Sequence, residues 1–420
     1  MCLLVYWGAT DSVGDVIFTY HGYPNAARVN RPYEFVVSVH SMPKGRPQLS
    51  IPAFAVVALC VTAVIAIPVV AWHVDRSADE FSGSHIPIAV TAGWAICALL
   101  IALVVSRELH LVAPVDEGAG LAISYDALPF LLAFSWAVAI VALVTGHWLL
   151  AVVAGSLCLY HVMLVLPRLI SARVPRWARH APTLDIVVAN VFIDNKTPDD
   201  AARQLVAAAA DIVAVVESTP AFLAILDGVG GGDAYPHRVT DPDDHSDYAV
   251  TLLSKHELGP RSRMATIGPL CVAIADIDVA GTSTLVVALN PMAAVDPGGH
   301  ETWKEQIATL EEFVPTLSGP LIIAGDLNTT RYRPEFDELL ALGLTDAIDS
   351  LGKGLNPSFK LGADGVLASI GAVARLDHAL VNDSVHALSI DNLEPCGSDH
   401  LPFRLKVAVR TAQVSRHSRK

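Results

Sequence analysis

Two patterns of hydrophobic and polar positions divide this chain near residue 170. In the first part, four uncharged apolar runs each approach the ~20 residues that an α-helix needs to span a hydrocarbon core. A buried core helix would explain any single run, but four such runs in close succession favour membrane helices. The pattern therefore predicts a multi-span α-helical membrane domain over residues 47–170, with about four helices at 51–73, 87–105, 128–145 and 148–167.

After a basic linker at 171–182, short apolar strands alternate with amphipathic helices. The segments "LDIVVANVF", "DIVAVVES", "STLVVALN" and "PLIIAGDLN" have the length and composition of strands. The segment "TPDDAARQLVAAAA" starts with Thr197, Pro198 and two acids, which predicts a helix, and another is expected at about 300–314. Hairpins and crossovers in one stretch predict an α+β four-layer sandwich over 183–408, in which two packed mixed β-sheets are flanked by helices.

The two ends of the chain show no recognisable period. Residues 1–46 are expected to form an N-terminal extension, for which disorder is one explanation. The basic segment 409–420 is expected to be a disordered tail near anionic lipid. The six cysteines include no CxxC pair, so the sequence predicts neither a zinc site nor a disulfide framework.

The composition and the basic residues support a membrane location. Hydrophobic residues make up 53% of the chain and charged residues 17%, with a mean hydropathy of +0.47. Lys and Arg residues precede the first apolar run and follow the last one. An even number of spans then places both ends on the cytoplasmic side of the inner or plasma membrane. If 128–167 crosses only once, the C-terminal domain lies outside the cell membrane instead.

Polar residues that can carry chemistry stand where the predicted apolar strands end. Side chains at strand ends of layered sheets converge on one cleft even when they are distant in sequence. A single acid after a strand is usually a turn residue, but five strand ends with such residues indicate a site. They are Asn190, Glu217, Asn290, the pair Asp326 and Asn328, and the segment 398–400 with Asp399 and His400.

These residues and their order resemble the endonuclease/exonuclease/phosphatase superfamily of DNase I-like, metal-dependent phosphoesterases. The resemblance covers about 183–408, and the multi-span N-terminus is similar to that of bacterial membrane-tethered members. "GDLN" alone is a weak motif, but "SDHLP" some 70 residues later makes the pair specific. The quoted motifs are "VVANVF", "VVES", "GDLN" at 325–328, "LDH" at 376–378 and "GSDHLP" at 397–402.

The resemblance implies a DNase I-like fold, a Mg²⁺ or Mn²⁺ cofactor and hydrolysis by an activated water. Hard cations of this kind prefer carboxylate and amide oxygens, and they neutralise phosphate oxygens during cleavage. The implied metal ligands are Glu217, Asn190 and Asp399. The implied catalytic residues are Asp326 for the water, Asn328 for the phosphate, and His400 held by Asp377. Arg331, just after "GDLNTT", is expected to contact the substrate, as are Asn328 and Asn290.

One residue departs from the family pattern. In "LVVALNPMAAV", Asn290 stands where the family usually has a His, or sometimes a Tyr, that donates to the phosphate. Asn can donate a hydrogen bond but cannot carry positive charge. Removal of a comparable donor elsewhere lowers rates by about 10²–10³, so a catalytically impaired membrane sensor or scaffold is one alternative to an active enzyme.

Charge narrows the expected substrate. Residues 183–404 contain about 13 Lys and Arg but about 32 Asp and Glu, so the acidic net charge of −14 is concentrated there. Proteins that hold duplex DNA usually present a basic face, so a nucleic-acid partner is disfavoured. A membrane-bound endo- or exonuclease is nevertheless the first alternative, ahead of the sensor or scaffold. The sequence predicts a membrane-anchored phosphodiesterase that acts on a small or lipid-linked phosphoester at the bilayer.

Overall fold

The chain divides into two compact units, Met1–Gln48 and Leu49–Lys420. The computed structural model describes residues 5–10, 13–19, 34–39, 86–110, 119–241, 246, 248–295 and 298–411. The predicted span at 51–73 and most of the predicted tail at 409–420 lie outside the described residues.

The first unit contains a three-stranded antiparallel sheet, although the sequence predicts no element there. Its strands are β1 (Val5–Thr10), β2 (Val13–Thr19) and β3 (Glu34–Val39), in the order β1-β2-β3. All three are rich in Val and aromatic residues, which favour extended backbone.

Four apolar helices open the described part of the second unit: α1 (Ile86–His110), α2 (Ala119–Asp126), α3 (Leu128–Val144) and α4 (Trp148–Val165). Two segments, Ala89–His110 and Trp148–Leu169, are long and apolar enough to cross a membrane. The helices α2 and α3 bend by 65° at their junction and would add a third crossing if together they form one span. Among the described residues there are thus two or three candidate spans, and the orientation of the protein is not fixed by them.

The outer faces of these helices are apolar as well as their packed faces. Large hydrophobic side chains are seldom exposed to water in such numbers, so this surface is suited to contact with lipid. The most exposed include Leu99, Phe130, Phe134, Ile140, Trp148 and Val152.

Fourteen strands follow in the described part of the second unit. They are β4 (Thr183–Asn190), β5 (Ile212–Val216), β6 (His237–Thr240), β7 (Val250–Ser254), β8 (Arg263–Ile267), β9 (Leu270–Asp278), β10 (Ser283–Leu289), β11 (Leu321–Asp326), β12 (Leu344–Asp346), β13 (Phe359–Lys360), β14 (Ala372–Ala374), β15 (Asp377–Asn382), β16 (Val385–Asn392) and β17 (Phe403–Val409). Two six-stranded mixed sheets result, ordered β16-β17-β4-β5-β7-β6 and β12-β15-β11-β10-β9-β8, and β13 pairs with β14.

Helices connect these strands along the chain. They are α5 (Pro198–Ala208), α6 (Pro220–Gly228), α7 (Gly231–Ala234), α8 (Gly299–Phe313), α9 (Pro334–Ala341), α10 (Ala347–Ser350) and α11 (Gly365–Ala368). Short 3₁₀ turns occupy Leu166–Leu169, Arg176–Arg179 and Val314–Thr316.

The packing of apolar side chains defines four layers. One core lies between the two sheets and contains residues of both, such as Ile186, Val188, Val286 and Ile322. A second core joins α8 and α9 to the outer face of the β10–β11 sheet, and a third joins α5 and α6 to the outer face of the β4–β5 sheet. The predicted fold, apolar helices followed by a DNase I-like four-layer sandwich, is confirmed.

Strand direction brings the polar strand ends together. β4 runs parallel to β5, and β10 runs parallel to β11. Their carboxyl ends therefore lie at one edge of each sheet, where Asn190, Glu217, Asn290 and Asp326 follow or end the strands. β15 runs antiparallel to β11 and aligns Asp377 with Asp326.

Candidate active site

A hydrogen-bonded cluster joins the ends of the two sheets. The Asn190 amide nitrogen donates to Glu217 Oε1 at 2.7 Å, within the β4–β5 sheet. The same nitrogen donates to Asp326 Oδ2 at 3.1 Å, in the β10–β11 sheet. Asn190 is 1% exposed and Asp326 is 1% exposed, so this contact across the sheets lies away from bulk water. Residues 136 positions apart in the chain thus share one polar centre.

His400 lies between two carboxylates of this cluster. Its Nδ1 is 2.8 Å from Asp377 Oδ2, and its Nε2 is 3.4 Å from Asp326 Oδ2. Asp377 Oδ2 also accepts a 2.6 Å hydrogen bond from the Ser358 hydroxyl. The ring of Phe359 packs against the His400 ring at a centroid distance of 5.1 Å. These contacts fix both the rotation of the imidazole and the nitrogen that faces Asp326.

Burial and mutual repulsion shift the pKa values of the cluster. Burial raises the pKa of Glu217 to about 7, because the charged form loses its hydration. Burial also raises the pKa of Asp326, with a further contribution from the neighbouring Asp377 carboxylate. Burial alone would lower the pKa of His400, but Asp377 and Asp326 outweigh it and raise the pKa well above the usual value. In the metal-free protein these two carboxylates favour the protonated form of the His400 ring.

The donor set of this cluster fits a divalent cation. Asp326, Asp377 and His400 place ligand atoms within 4.8 Å of one another, a grouping that could hold a metal ion. Glu217 and Asp399 add two more carboxylates, so the four acids outnumber the nearby cations His400, Arg375 and Lys360. Asp399 Oδ1 is buried and has no hydrogen-bond partner among the described residues, and burial raises the pKa of this carboxyl. A hard cation would neutralise this excess of buried negative charge.

Two residues of the site have a left-handed backbone conformation, which residues other than glycine seldom adopt. Glu217 has a φ of 58° and Asn328 a φ of 50°. Such conformations cost of order 1–3 kcal/mol each and concentrate at functional sites. In Glu217 the conformation ends β5 and lets Oε2 accept from the Ile193 backbone nitrogen at 2.8 Å. In Asn328 the backbone nitrogen donates to Asp326 Oδ1 at 2.8 Å.

Asn290 and Asn328 lie together next to this cluster. The Asn328 side-chain nitrogen donates to the Pro291 carbonyl at 2.9 Å and approaches Asn290 Oδ1 at 3.4 Å. Asn290 is 3% exposed. The structure therefore brings together all of the residues that the sequence singles out at strand ends, with Asp399 at the edge of the group.

Arg331, which the sequence predicts to contact the substrate, pairs with two carboxylates, and its contact with a substrate stays a prediction. Its Nε donates to Asp349 Oδ2 at 2.9 Å and its Nη1 to Asp337 Oδ1 at 2.6 Å. Its guanidinium also lies over the Phe336 ring, 5.1 Å from the ring centre. These two hydrogen bonds use two of the five N–H groups of the guanidinium.

Two residues of the cluster escape prediction from the sequence. Ser358 donates to Asp377, and Lys360 donates through Nζ to the Ser398 carbonyl at 2.9 Å and through its backbone nitrogen to the Asp399 carbonyl. Both belong to "NPSFKLG", a segment without strand periodicity or a known motif. The only available signal is its position between two predicted elements, which does not identify a site.

Comparison with known proteins places these observations in context. The model of the Endonuclease/Exonuclease/phosphatase family matches residues 187–400. No curated protein matches the chain in sequence. Three similar solved structures are a humanized D. rerio TDP2 (17% identity, 54% of this chain and 99% of that chain, TM-score 0.44), a sphingomyelinase C from Streptomyces griseocarneus (19%, 54% and 99%, 0.41) and an endonuclease/exonuclease/phosphatase from Beutenbergia cavernae (15%, 55% and 72%, 0.42).

Proposed function

The chain belongs to the endonuclease/exonuclease/phosphatase family, and from this premise we propose that it is a membrane-anchored, divalent-metal-dependent phosphodiesterase. Its family hydrolyses phosphoester bonds. The observation that carries the proposal is the buried group of Asn190, Asp326, His400 and Asp377, joined across the two sheets by hydrogen bonds. Its apolar helices support a location in the inner or plasma membrane.

Each residue of the cluster has a role that its contacts support. Glu217, Asn190 and Asp399 would hold Mg²⁺ or Mn²⁺, which when bound neutralises the phosphate oxygens. Asp326, whose pKa is raised by burial, orients the attacking water and accepts its proton. The nucleophile is water, so no covalent intermediate forms on the protein.

On the other side of the phosphate, His400 and Asn328 would provide hydrogen-bond donors. Asp377 accepts from His400 Nδ1 and keeps Nε2 directed toward Asp326. The imidazolium donates to a phosphate oxygen and can protonate the leaving oxygen. The Asn328 amide donates to the phosphate, with Asn290 beside it.

The substrate that we propose is a lipid-linked or small phosphoester. Five exposed aliphatic residues lie within six positions in sequence of residues that contact the cluster or of the ion pair between Lys196 and Asp364, and we refer to them as the apolar rim. The first of them, Ile193, donates its backbone nitrogen to Glu217. The ion pair connects two of the segments that carry these residues. The apolar rim consists of Ile193, Val295, Leu361, Val366 and Ile370.

An apolar rim around an acidic interior favours lipid over DNA. Aliphatic side chains gain by leaving water for lipid, whereas duplex DNA requires cationic side chains along its phosphates. The excess of acids over bases between residues 183 and 404 would repel a polyanion.

The test is a panel of phosphoesters offered to the purified full-length protein in detergent. The panel contains a chromogenic diester, phospholipids, inositol phosphates and DNA, each with Mg²⁺ and with EDTA. The wild type should hydrolyse a diester, and EDTA should abolish the reaction. Asp326→Ala and His400→Ala should each lower the rate about 10²- to 10⁴-fold. The control Asp227→Ala, which removes an exposed ion pair on α6, should leave the rate unchanged.

Each alternative gives a different result in this panel. Hydrolysis that survives EDTA would exclude the metal-dependent mechanism. Preferred cleavage of DNA would identify a membrane-bound nuclease. Absence of turnover on every ester would identify a sensor or scaffold.

A further inference from the structure

The loop Thr329–Arg333, which follows β11, contacts the apolar helices. It begins directly after Asn328, three positions beyond Asp326, and leads into α9. All five of its residues, "TTRYR", are largely buried. Its partners include residues of α1 and α2, more than 200 positions earlier in the chain.

Asp126 makes the most extensive of these contacts. It is the last residue of α2 and lies at the 65° bend between α2 and α3. Its Oδ1 accepts from the Thr330 backbone nitrogen and from the Thr330 hydroxyl, both at 2.9 Å. Its Oδ2 accepts from Arg333 Nε at 2.8 Å and from Arg333 Nη2 at 2.6 Å. One carboxylate therefore holds both ends of the loop.

Arg333 transmits this restraint toward the active site. Its side chain is 2% exposed, and its guanidinium lies over the Trp303 ring, 4.6 Å from the ring centre. Trp303 in turn donates its indole nitrogen to the Leu327 carbonyl at 2.9 Å. Leu327 lies between Asp326 and Asn328. A continuous series of contacts thus runs from the bend in the apolar helices to the two catalytic residues.

A second group of contacts holds the middle of the loop. Arg107, near the end of α1, donates through Nε to the Tyr332 carbonyl at 2.7 Å. The Tyr332 ring packs within the core of the apolar helices. Tyr332 and Arg333 therefore point into different surroundings, and the loop has little freedom to shift.

Buried charge makes this arrangement specific. A buried guanidinium or carboxylate that loses its partner is strongly unfavourable, so the contact between Asp126 and Arg333 selects one loop conformation. Displacement of a catalytic group by about 1 Å can lower a rate by about 10²-fold. Asn328 is sensitive to such a shift because its backbone is left-handed, with a φ of 50°.

We propose that Asp126 is a positioning residue for phosphoester hydrolysis, which acts through Thr330 and Arg333 to hold Asn328 in place and so couples the apolar helices to the reaction. This inference rests on the proposed function. It assigns the bent helix pair a part in catalysis in addition to membrane attachment.

The test is a double-mutant cycle in the full-length protein with the chromogenic diester. Asp126→Asn keeps the size of the side chain but removes its charge, and it should lower kcat about 10- to 100-fold with less than a threefold change in KM. Asn328→Ala should lower kcat further. If Asp126 acts through Asn328, the double variant should be no slower than Asn328→Ala alone.

Two further measurements separate positioning from general damage. Hydrogen exchange of the backbone at 327–333 should accelerate in Asp126→Asn, while exchange in β4 and β5 stays at the wild-type rate. The control Asp185→Asn removes an equally bidentate pair with Arg404 on an exposed part of the other sheet, and it should leave both kcat and loop exchange unchanged.

The outcomes distinguish this inference from the proposed function. Wild-type kcat and wild-type loop exchange in Asp126→Asn would overturn the coupling while leaving the enzyme active. Losses that add in the double variant would also overturn it, because they indicate independent effects. Absence of turnover by the wild type would overturn the proposed function, and the role of Asp126 in catalysis with it.

Discussion

Glu217 combines a left-handed backbone with a buried carboxylate, and each of these features is unfavourable for folding. Its φ is 58°, and burial raises its pKa to about 7. Neither feature improves the packing of β5. A residue that lowers the stability of the metal-free protein in two ways is expected at a site where bound cation offsets the loss. Active sites commonly give up stability for function in this manner.

Replacement of Glu217 by Gln should therefore stabilise the metal-free protein at high pH. A carboxyl whose pKa is raised on folding binds more protons in the native state, so the free energy of unfolding decreases as pH rises from about 4.3 to about 7. Glu217→Gln removes this penalty, and at pH 8 with EDTA it should be more stable than the wild type by roughly 2 kcal/mol. Thermal unfolding in detergent at pH 5 and pH 8 measures the difference.

Added Mg²⁺ should reverse the order of these two proteins. The wild type should gain stability from the cation, while Glu217→Gln should respond weakly because it has lost a ligand charge. Glu257→Gln, at an exposed position, should follow the wild type throughout. Equal responses of wild type and Glu217→Gln to Mg²⁺ would remove Glu217 from the set of ligands.

Asn290 offers a gain-of-function experiment. Asn290→His would restore a side chain that can donate and carry charge beside Asn328, and kcat should rise roughly tenfold below the ordinary His pKa of about 6.5. Steady-state rates on the diester from pH 5 to pH 8 test this, with Asn290→Ala as the control that removes the amide. A decrease of the same size in both variants would show that the Asn amide itself is required.

The positions of candidate side chains could be predicted where each one follows an apolar strand. Glu217, Asp326 and Asn290 are recognisable because the strand before each one fixes its position at the sheet edge. Arg331 also follows an apolar strand closely in sequence, but its side chain is oriented by hydrogen bonds to Asp337 and Asp349. Contacts with residues from another element leave no local pattern, so the sequence could not reveal them.

At the scale of the elements, β11 depends on one glycine. Gly325 has a φ of 154°, and a Cβ built there would lie 2.0 Å from the Leu289 carbonyl oxygen. The residue pairs with Leu289 of the parallel neighbour β10. A side chain would therefore separate the two strands that present Asn290 and Asp326.

Gly325→Ala should disrupt this part of the sheet. The clash involves backbone on both strands and cannot be relieved by a rotamer change, so we expect destabilisation of more than about 3 kcal/mol or failure to accumulate. Gly281→Ala is the matched control, because Gly281 has a φ of 81° but no atom within 4 Å of an added Cβ. It should cost only about 1 kcal/mol, as measured by thermal unfolding. Equal losses would show that backbone conformation, and not the close approach, makes glycine necessary.

Elements with a strong period were predictable and those without one were not. The helices at 128–144 and 148–165 and the strand at 321–326 follow from uninterrupted apolar runs. The segment with Ser358 and Lys360 has no such run, because its order comes from contacts with Asp377 and Asp399. The bend between α2 and α3 also has no sequence signal beyond a proline at position 129.

At the scale of the whole molecule, an acidic domain carries exposed apolar side chains and follows apolar helices. Acids dominate residues 183–404, whereas the apolar rim and the helices expose aliphatic and aromatic side chains. The phosphoester of a lipid lies in the headgroup next to the acyl chains, so exposed aliphatic side chains near the site could contact the lipid while its ester is bound. The distribution therefore supports access from the membrane surface.

Polar substitution of the rim should separate two substrates. The double variant Val366→Ser with Ile370→Ser should lower the rate on phospholipid vesicles about tenfold, since each aliphatic side chain contributes about 1.5–3 kcal/mol when fully buried. The rate on the soluble chromogenic diester should stay within twofold of the wild type. Initial rates of the full-length protein on both substrates measure this.

An exposed aliphatic residue outside the rim supplies the comparison. Leu342→Ser, just after α9, should alter neither rate. A rim variant that loses both activities equally would indicate damage to the cleft and would contradict contact between the rim and lipid.

The position of β17 has a consequence for synthesis of the protein. β4 is the first strand of the two sheets and β17 is the last, yet they pair side by side in the middle of one sheet. While the ribosome is still translating, β4 lacks this neighbour, and the nascent domain carries an unpaired apolar strand. His400 emerges only just before β17. A chain that stops before residue 400 therefore lacks both the completed sheet and the His400 imidazole.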